Sequence, residues 1–257
     1  MKSPRILLTV LVLACGLALP CEAGLKVYYL RHAQTGANVA KQWEDKPAAD
    51  RPAYVGNAGA FSPKGEKQAA KVPEKLAPYH FDFIAVSPLW RTRHTILPYL
   101  QAHDRKGEIW PELVEFGKRD GELALIGTPD LPAARPDLFT GGRKIEIPAE
   151  ERPWFKEREP GLTAPKLGRP GAGGAADLTA LLQAAIARVR RQFGGTDQSI
   201  LLVGHGTAGK YLLWLLTGDR LPLERGLANT GLWMAEEQPD GSFELKLADG
   251  APLAVAK

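Results

Sequence analysis

Short apolar runs that stop abruptly at charged, polar or glycine residues recur along this chain, with amphipathic stretches between them. Leu25-Lys-Val-Tyr-Tyr-Leu30 is the first, a β-favouring run that stops at Arg31-His32. Phe81-Asp-Phe-Ile-Ala-Val86 stops at Ser87-Pro88, and Ser199-Ile-Leu-Leu-Val203 stops at Gly204-His205-Gly206. Each reads as a buried strand. Near the end, Leu232-Trp-Met-Ala235 and Phe243-Glu-Leu-Lys-Leu247 flank Pro239-Asp-Gly241 and predict a hairpin.

The helical signals fall between these runs. Ser62-Pro63 offers an N-cap with proline at the first helical position, and Gln68, Ala69, Val72 and Leu76 carry a helix on to Pro78. Glu66 lies four residues beyond Ser62, so this is not a capping box. Leu89 to Thr95 opens a second helix, and Thr207 to Leu216 forms another. The clearest runs from about Asp177 to Phe193, with Leu178, Leu182, Ala185, Val189 and Phe193 on one face and Gly194-Gly195 as its stop. Strands alternating with helices predict an α/β three-layer sandwich with a mainly parallel central sheet. Residues 101–176 break the rhythm and are rich in Pro, Gly and charge, with 160–176 reading as a flexible connection. They are expected to form an inserted cap over a site at the sheet edge.

Composition adds a leader and removes some functions. Lys2 and Arg5 precede the apolar run Ile6–Leu19, and Cys21-Glu22-Ala23 follows Pro20, the pattern of a secretory signal cleaved after Ala23. The run is shorter than the ~20 residues that span a bilayer, so no membrane span is expected after cleavage. Residues 24–257 would then be one exported domain, periplasmic or secreted. Lipid attachment at Cys15 or Cys21 is the minor alternative, because Pro20 makes a poor lipoprotein signal. Cleavage removes both cysteines, leaving no thiol nucleophile, and lowers the formal charge from +4 to +3 through loss of Lys2, Arg5 and Glu22. The basic residues are spread along the chain, so nothing asks for nucleic acid. A composition 44% hydrophobic and 24% charged excludes wholesale disorder.

The strand ends carry the chemistry. In an open α/β sheet ligands bind outside the carboxyl ends of the strands, so Arg31-His32, Ser87 with Arg91, and Gly204-His205-Gly206 can converge on one crevice. Two arginines and two histidines suit an anion, since guanidinium groups present fixed forks to phosphate oxygens. Gly36 and Gly206 would let backbone N–H groups at helix starts approach the same anion. A histidine among such cations is held neutral and can attack phosphorus. Taken singly, each residue is as well explained as a surface charge or a core histidine. Agreement at three strand ends points to a site.

Three segments resemble one family. Arg31-His32-Ala33-Gln34-Thr35-Gly36-Ala37-Asn38 follows the first strand, Ser87-Pro88-Leu89-Trp90-Arg91-Thr92-Arg93-His94-Thr95 the second, and Gly204-His205-Gly206 the third. Together they resemble the histidine phosphatase superfamily in its phosphoglycerate-mutase-like branch, and Asn229 before a strand resembles the family's tail. Ala33, Gln34 and Thr92 depart from the pattern without removing a catalytic group. The resemblance implies an α/β fold, no metal, no cofactor and a phosphohistidine intermediate on His32. Arg31, Arg91, His205, Asn38 and the Gly206 backbone would hold the phosphate. Leu113-Val114-Glu115-Phe116-Gly117 matches the segment of the family's proton donor, which makes Glu115 the candidate acid and Glu112 its rival.

The expected activity is phosphomonoester hydrolysis, on a small molecule or a lipid headgroup. A mutase that returns the phosphoryl group to its substrate is the alternative within the family. A nucleotide or phosphate-ligand binder built on Gly204-His-Gly-Thr-Ala-Gly209 is the alternative outside it, because that run has the form of a dinucleotide fingerprint. His94 lies three residues after Arg91 and reads equally as pocket rim or solvated helix position. His80 and His103 read as surface histidines. Arg188, Arg190 and Arg191 sit at a helix C-terminus, where positive charge is favourable.

Overall fold

Four parallel strand pairings build the sheet around β1 (Lys26–Arg31), which the apolar run from Leu25 predicts. β1 pairs with β5 (Ser199–Gly204), β5 with β2 (Phe83–Val86), β2 with β3 (Gly107–Ile109), and β3 with β4 (Phe155–Glu157). On the other side of β1 the pairing turns antiparallel through β6 (Leu232–Glu237), β7 (Phe243–Ala248) and β8 (Ala251–Pro252). The strand order is β4-β3-β2-β5-β1-β6-β7-β8. The computed structural model describes residues 24–115, 142–166, 174–218, 226–249 and 251–252. The expected leader, residues 1–23, lies outside them.

Side-chain alternation along the central strands divides the core into two layers. Val27 and Tyr29 of β1, with Ile200 and Leu202 of β5, pack against α5 (Gly174–Phe193) and α6 (Gly206–Thr217). Tyr28, Leu30, Leu201 and Val203 face the opposite way, toward α3 (Val72–Leu76) and α4 (Trp90–Ala102). Helices therefore cover both faces of a mainly parallel sheet, the three-layer α/β arrangement expected. The α5 face is the expected one, since Leu178, Leu182, Ala185, Val189 and Phe193 all lie in the first layer. Its start at Gly174 shortens the connection read up to Ala176.

Three local features differ from the sequence reading. The helix expected from Ser62 to Pro78 is two, α2 (Pro63–Ala70) and α3, because Pro73 has no N–H to continue the ladder of α2. Ser62 caps α2 by accepting the Gly65 amide at 3.1 Å. Next, the stretch 101–176 supplies β3 and β4, and Ile145, Ile147 and Leu162 join the second core layer. Those strands are three residues long, too short to leave a periodic signal. Finally, the helix start expected at Gly36 gives only a single turn, α1 (Gly36–Val39). The hairpin is as expected, with Gly241 at φ +79 in its turn.

Candidate active site

The neighbouring order β2-β5-β1 brings the three polar strand ends together at the carboxyl edge of the sheet. Arg31 is in register with Gly204, the His32 amide donates to the Gly204 carbonyl at 2.9 Å, and the Ser87 amide donates to Val203 at 2.9 Å.

His32 is buried, with its Nδ1 2.7 Å from the carbonyl oxygen of Ala33. A carbonyl can only accept, so Nδ1 carries the hydrogen and the lone pair lies on Nε2. Burial pushes the pKa of this imidazole down to about 3; the Ala33 bond opposes that shift, while Arg91 and Arg31 add to it. The main chain around it is fixed from two sides. The Ala33 amide donates to Thr95 Oγ1 at 2.8 Å, Thr95 Oγ1 donates to the Arg91 carbonyl at 2.6 Å, and Asn229 Nδ2 donates to the His32 carbonyl at 3.0 Å.

His205, fully buried, faces His32 with ring centroids 5.3 Å apart. Arg91 Nε donates to its Nδ1 at 3.2 Å, and its Nε2 lies 2.8 Å from Ser87 Oγ. This pattern fixes the neutral ring with its hydrogen on Nε2, given to the serine. Burial holds its pKa well below the ordinary value, and Arg91, His32 and Arg31 act in the same direction.

The cationic side is closed by Arg31, whose Nη1 donates to the Leu227 carbonyl and whose buried Nε has no hydrogen-bond partner among the described residues. Glu115 lies opposite, at the start of α6, where the Thr207 and Ala208 amides donate to its two carboxylate oxygens at 3.3 Å each. Burial lowers the pKa of both Arg31 and Arg91, and the Glu115 charge works against that shift at each. A carboxylate thus occupies the place where two guanidinium groups and a helix N-terminus would receive an anion.

Of the other candidates, Gly206 opens α6 beside Arg31: a Cβ there would stand 2.9 Å from Arg31 Nε. Asn38 is exposed, and its Oδ1 accepts from the Thr35 amide at 3.0 Å and Asn229 Nδ2 at 3.3 Å, so this oxygen holds the loop together. Glu112 is buried away from this cluster in contacts with Arg158 Nη1 at 2.9 Å and Arg188 Nη2 at 3.1 Å, which occupy it structurally. The Arg188 side chain therefore has a buried carboxylate partner and also lies over Trp110. His94 reaches neither histidine; it stacks on Trp90 at 4.4 Å and meets Glu151 Oε1 at 3.1 Å. His80 is exposed, and His103 packs on Tyr99.

Sequence reasoning missed two contributors. Tyr29 looks like ordinary core, yet its hydroxyl accepts the His205 amide at 2.6 Å and donates to the His205 carbonyl at 3.0 Å. Glu151, from the 142–166 segment, is buried and accepts from Arg93 Nε at 2.5 Å. The glycine run 204–209 also finds its reason here. A Cβ on Gly204 would stand 2.2 Å from the Tyr29 hydroxyl oxygen, and one on Gly209 would stand 2.3 Å from its ring. Two of the three glycines admit Tyr29 and the third admits Arg31, which accounts for the fingerprint-like spacing without a nucleotide.

A three-layer α/β fold with two histidines, two arginines and a helix N-terminus at adjacent strand ends forms a crevice chemically suited to an oxyanion. Residues 27–128 match the family model of the histidine phosphatase superfamily (branch 1). Solved structures share the fold. The α-ribazole phosphatase of Shigella flexneri aligns at 19% identity and TM-score 0.53, covering 90% of this chain and 100% of its own. The phosphoserine phosphatase of Entamoeba histolytica, solved with 3-phosphoglyceric acid, aligns at 18% identity and TM-score 0.52, covering 90% and 98%. A mycobacterial structure described as hydrolase 1 aligns at 18% identity and TM-score 0.52, covering 89% and 99%. At these identities the likeness is one of fold. No curated protein matches the sequence.

Proposed function

We propose that this protein is a phosphomonoester hydrolase that works through a phosphohistidine on His32 and needs no metal. The observation that carries the reading is the His32 tautomer: with Nδ1–H given to Ala33, the Nε2 lone pair is available to attack phosphorus. Nε2 forms the bond to phosphorus as the ester oxygen departs with its electron pair. Arg31, Arg91 and the first amides of α6 balance the charge on the non-bridging oxygens. Water then attacks the phosphohistidine, returning His32 and releasing inorganic phosphate.

Glu115 is the proposed proton donor to the leaving oxygen. The Thr207 and Ala208 amides donate to it and Arg31 and Arg91 lie near it, surroundings that favour the carboxylate. A phosphate dianion entering the same place would take over those partners, and its charge would drive Glu115 toward the protonated form. Two of the fold relatives are described as phosphatases of small phosphorylated metabolites, and a small phosphomonoester is the substrate class proposed here. Lys2, Arg5 and the Ile6–Leu19 run support export of the enzyme to the periplasm or medium.

The test is turnover of p-nitrophenyl phosphate with and without a chelator. Wild type should release phosphate at the same rate in both, and rapid acid-free quenching should trap label on His32. His32→Ala should abolish both signals. Retention of wild-type turnover by that variant would overturn the mechanism.

A further inference from the structure

We propose that Tyr29 is a positioning residue for His205, acting through the histidine's main chain from beneath the sheet edge. The proposal rests on the phosphatase reading, in which the place of His205 relative to His32 and Arg91 matters for turnover.

Tyr29 lies on β1 three residues before His32, and its side chain is fully buried. Its ring stacks on Trp233 of the adjacent β6, with centroids 5.3 Å apart and planes 3° from parallel. That contact sets the ring's plane. The hydroxyl then reaches across to β5 and brackets one residue, accepting the amide hydrogen of His205 and donating to its carbonyl oxygen. His205 is the N-cap position of α6, so its amide precedes the helix and has no partner in the α6 ladder. The tyrosine fills that gap.

Ordinary packing explains neither the bracket nor the glycines around it. Gly204 and Gly209 lie on either side of His205, and each would drive a Cβ into the Tyr29 side chain. Glycine at both places lets a phenol lie against the loop that carries the histidine. The ring of His205 is set separately, by Ser87 and Arg91. Main chain and side chain are therefore held by different groups, and removing the phenol hydroxyl releases only the first.

Tyr29→Phe removes the bracket and keeps the stacked ring. Gly204→Ala is the second variant, because it displaces the phenol without deleting it. Tyr28→Phe is the control, since Tyr28 is on the same strand but faces the other core layer. For p-nitrophenyl phosphate, Tyr29→Phe and Gly204→Ala should each lower kcat by about tenfold or more with KM little changed, the pattern of an interaction lost from the transition state. Vanadate, as a five-coordinate mimic, should weaken in parallel with kcat, whereas inorganic phosphate should not. Tyr28→Phe should leave all three unchanged.

Nitrogen NMR of the histidine rings gives a readout independent of turnover. The His205 resonances should move in Tyr29→Phe, and their response to inorganic phosphate should change. A lowered melting temperature with unaltered kcat, vanadate affinity and His205 resonances would make Tyr29 packing only and overturn the proposal. Should wild type show no phosphatase turnover, the functional reading falls, and the His205 resonances alone still decide whether Tyr29 holds that residue.

Discussion

Arg91 donates its Nε hydrogen to Nδ1 of His205, and this one bond decides which ring nitrogen of the histidine carries a proton. Nε2–H is thereby directed to Ser87, and neither ring nitrogen is left to donate toward the crevice. For His205 to give a hydrogen bond to phosphate from Nδ1, Arg91 has to turn to the ligand, and the ring has either to take up a proton or to accept the Ser87 hydroxyl hydrogen at Nε2. Glu115 is driven toward protonation by an entering dianion.

At about pH 8, where inorganic phosphate is already mostly the dianion, its binding should therefore be accompanied by net proton uptake. Calorimetric titration in buffers of different ionisation enthalpy measures that number directly. A binding enthalpy independent of buffer would show that His205 and Glu115 keep their protonation states.

The same buried histidines set an acid limit on stability. Burial holds His32 at about 3, below the ordinary value of 6.5, and His205 well below it. Between those values the unfolded chain binds protons that the folded one refuses, so stability is full above about pH 6.5 and falls as the pH drops. Each such histidine contributes a slope of about 1.4 kcal/mol per pH unit. Chemical denaturation from pH 7 to pH 4 should show the loss, and His205→Asn should make it shallower.

Leaving-group dependence isolates the role of Glu115. Glu115→Gln should lower kcat on an alkyl phosphate by roughly 100-fold or more, the usual range for general acid catalysis. On p-nitrophenyl phosphate, whose phenolate leaves unaided, the loss should be much smaller. Inorganic phosphate should bind this variant more tightly, because the competing carboxylate is gone from the start of α6. Equal losses on both substrates would rule out proton donation by this residue.

Glu151 ties the 142–166 segment to the helix that carries Arg91. Its carboxylate is buried against Arg93 Nε and Nη2 and His94 Nε2, and although burial raises its pKa, the contacts with Arg93 and His94 bring the net value down. Breaking one partner of such a pair costs about 3–5 kcal/mol. Glu151→Ala should lose stability of that order in urea denaturation. The double variant with Arg93→Met should recover part of it, by removing the stranded charge.

The strands that carry the site were legible because each is a short apolar run stopped by a group an apolar core has no use for. Arg31-His32 and Gly204-His205-Gly206 stand out on that ground alone, and a parallel sheet makes their convergence a consequence of strand order. β3 and β4 were not legible, since three residues each leave no alternation to count. Tyr29 escaped for a different reason. An aromatic residue in a buried strand is expected of any core, and only the hydroxyl's two bonds to a residue far along the chain distinguish it. Glu112 could not be separated from Glu115 by sequence, because its arginine partners lie 46 and 76 residues away. Asn38 was read as a phosphate ligand from the resemblance, and nothing in its sequence context signalled that its Oδ1 also braces the loop.

The register of β1 with β5 has a temporal consequence. His32 comes from the first strand of the fold and His205 from the fifth, while the carbonyl and amide that steady Arg31 and His32 come from Leu227 and Asn229, later still. No N-terminal fragment can assemble the centre, and long-range pairings of this kind are slow to form. A growing chain would thus remain chemically silent throughout its synthesis, and its first turnover would mark the completion of folding.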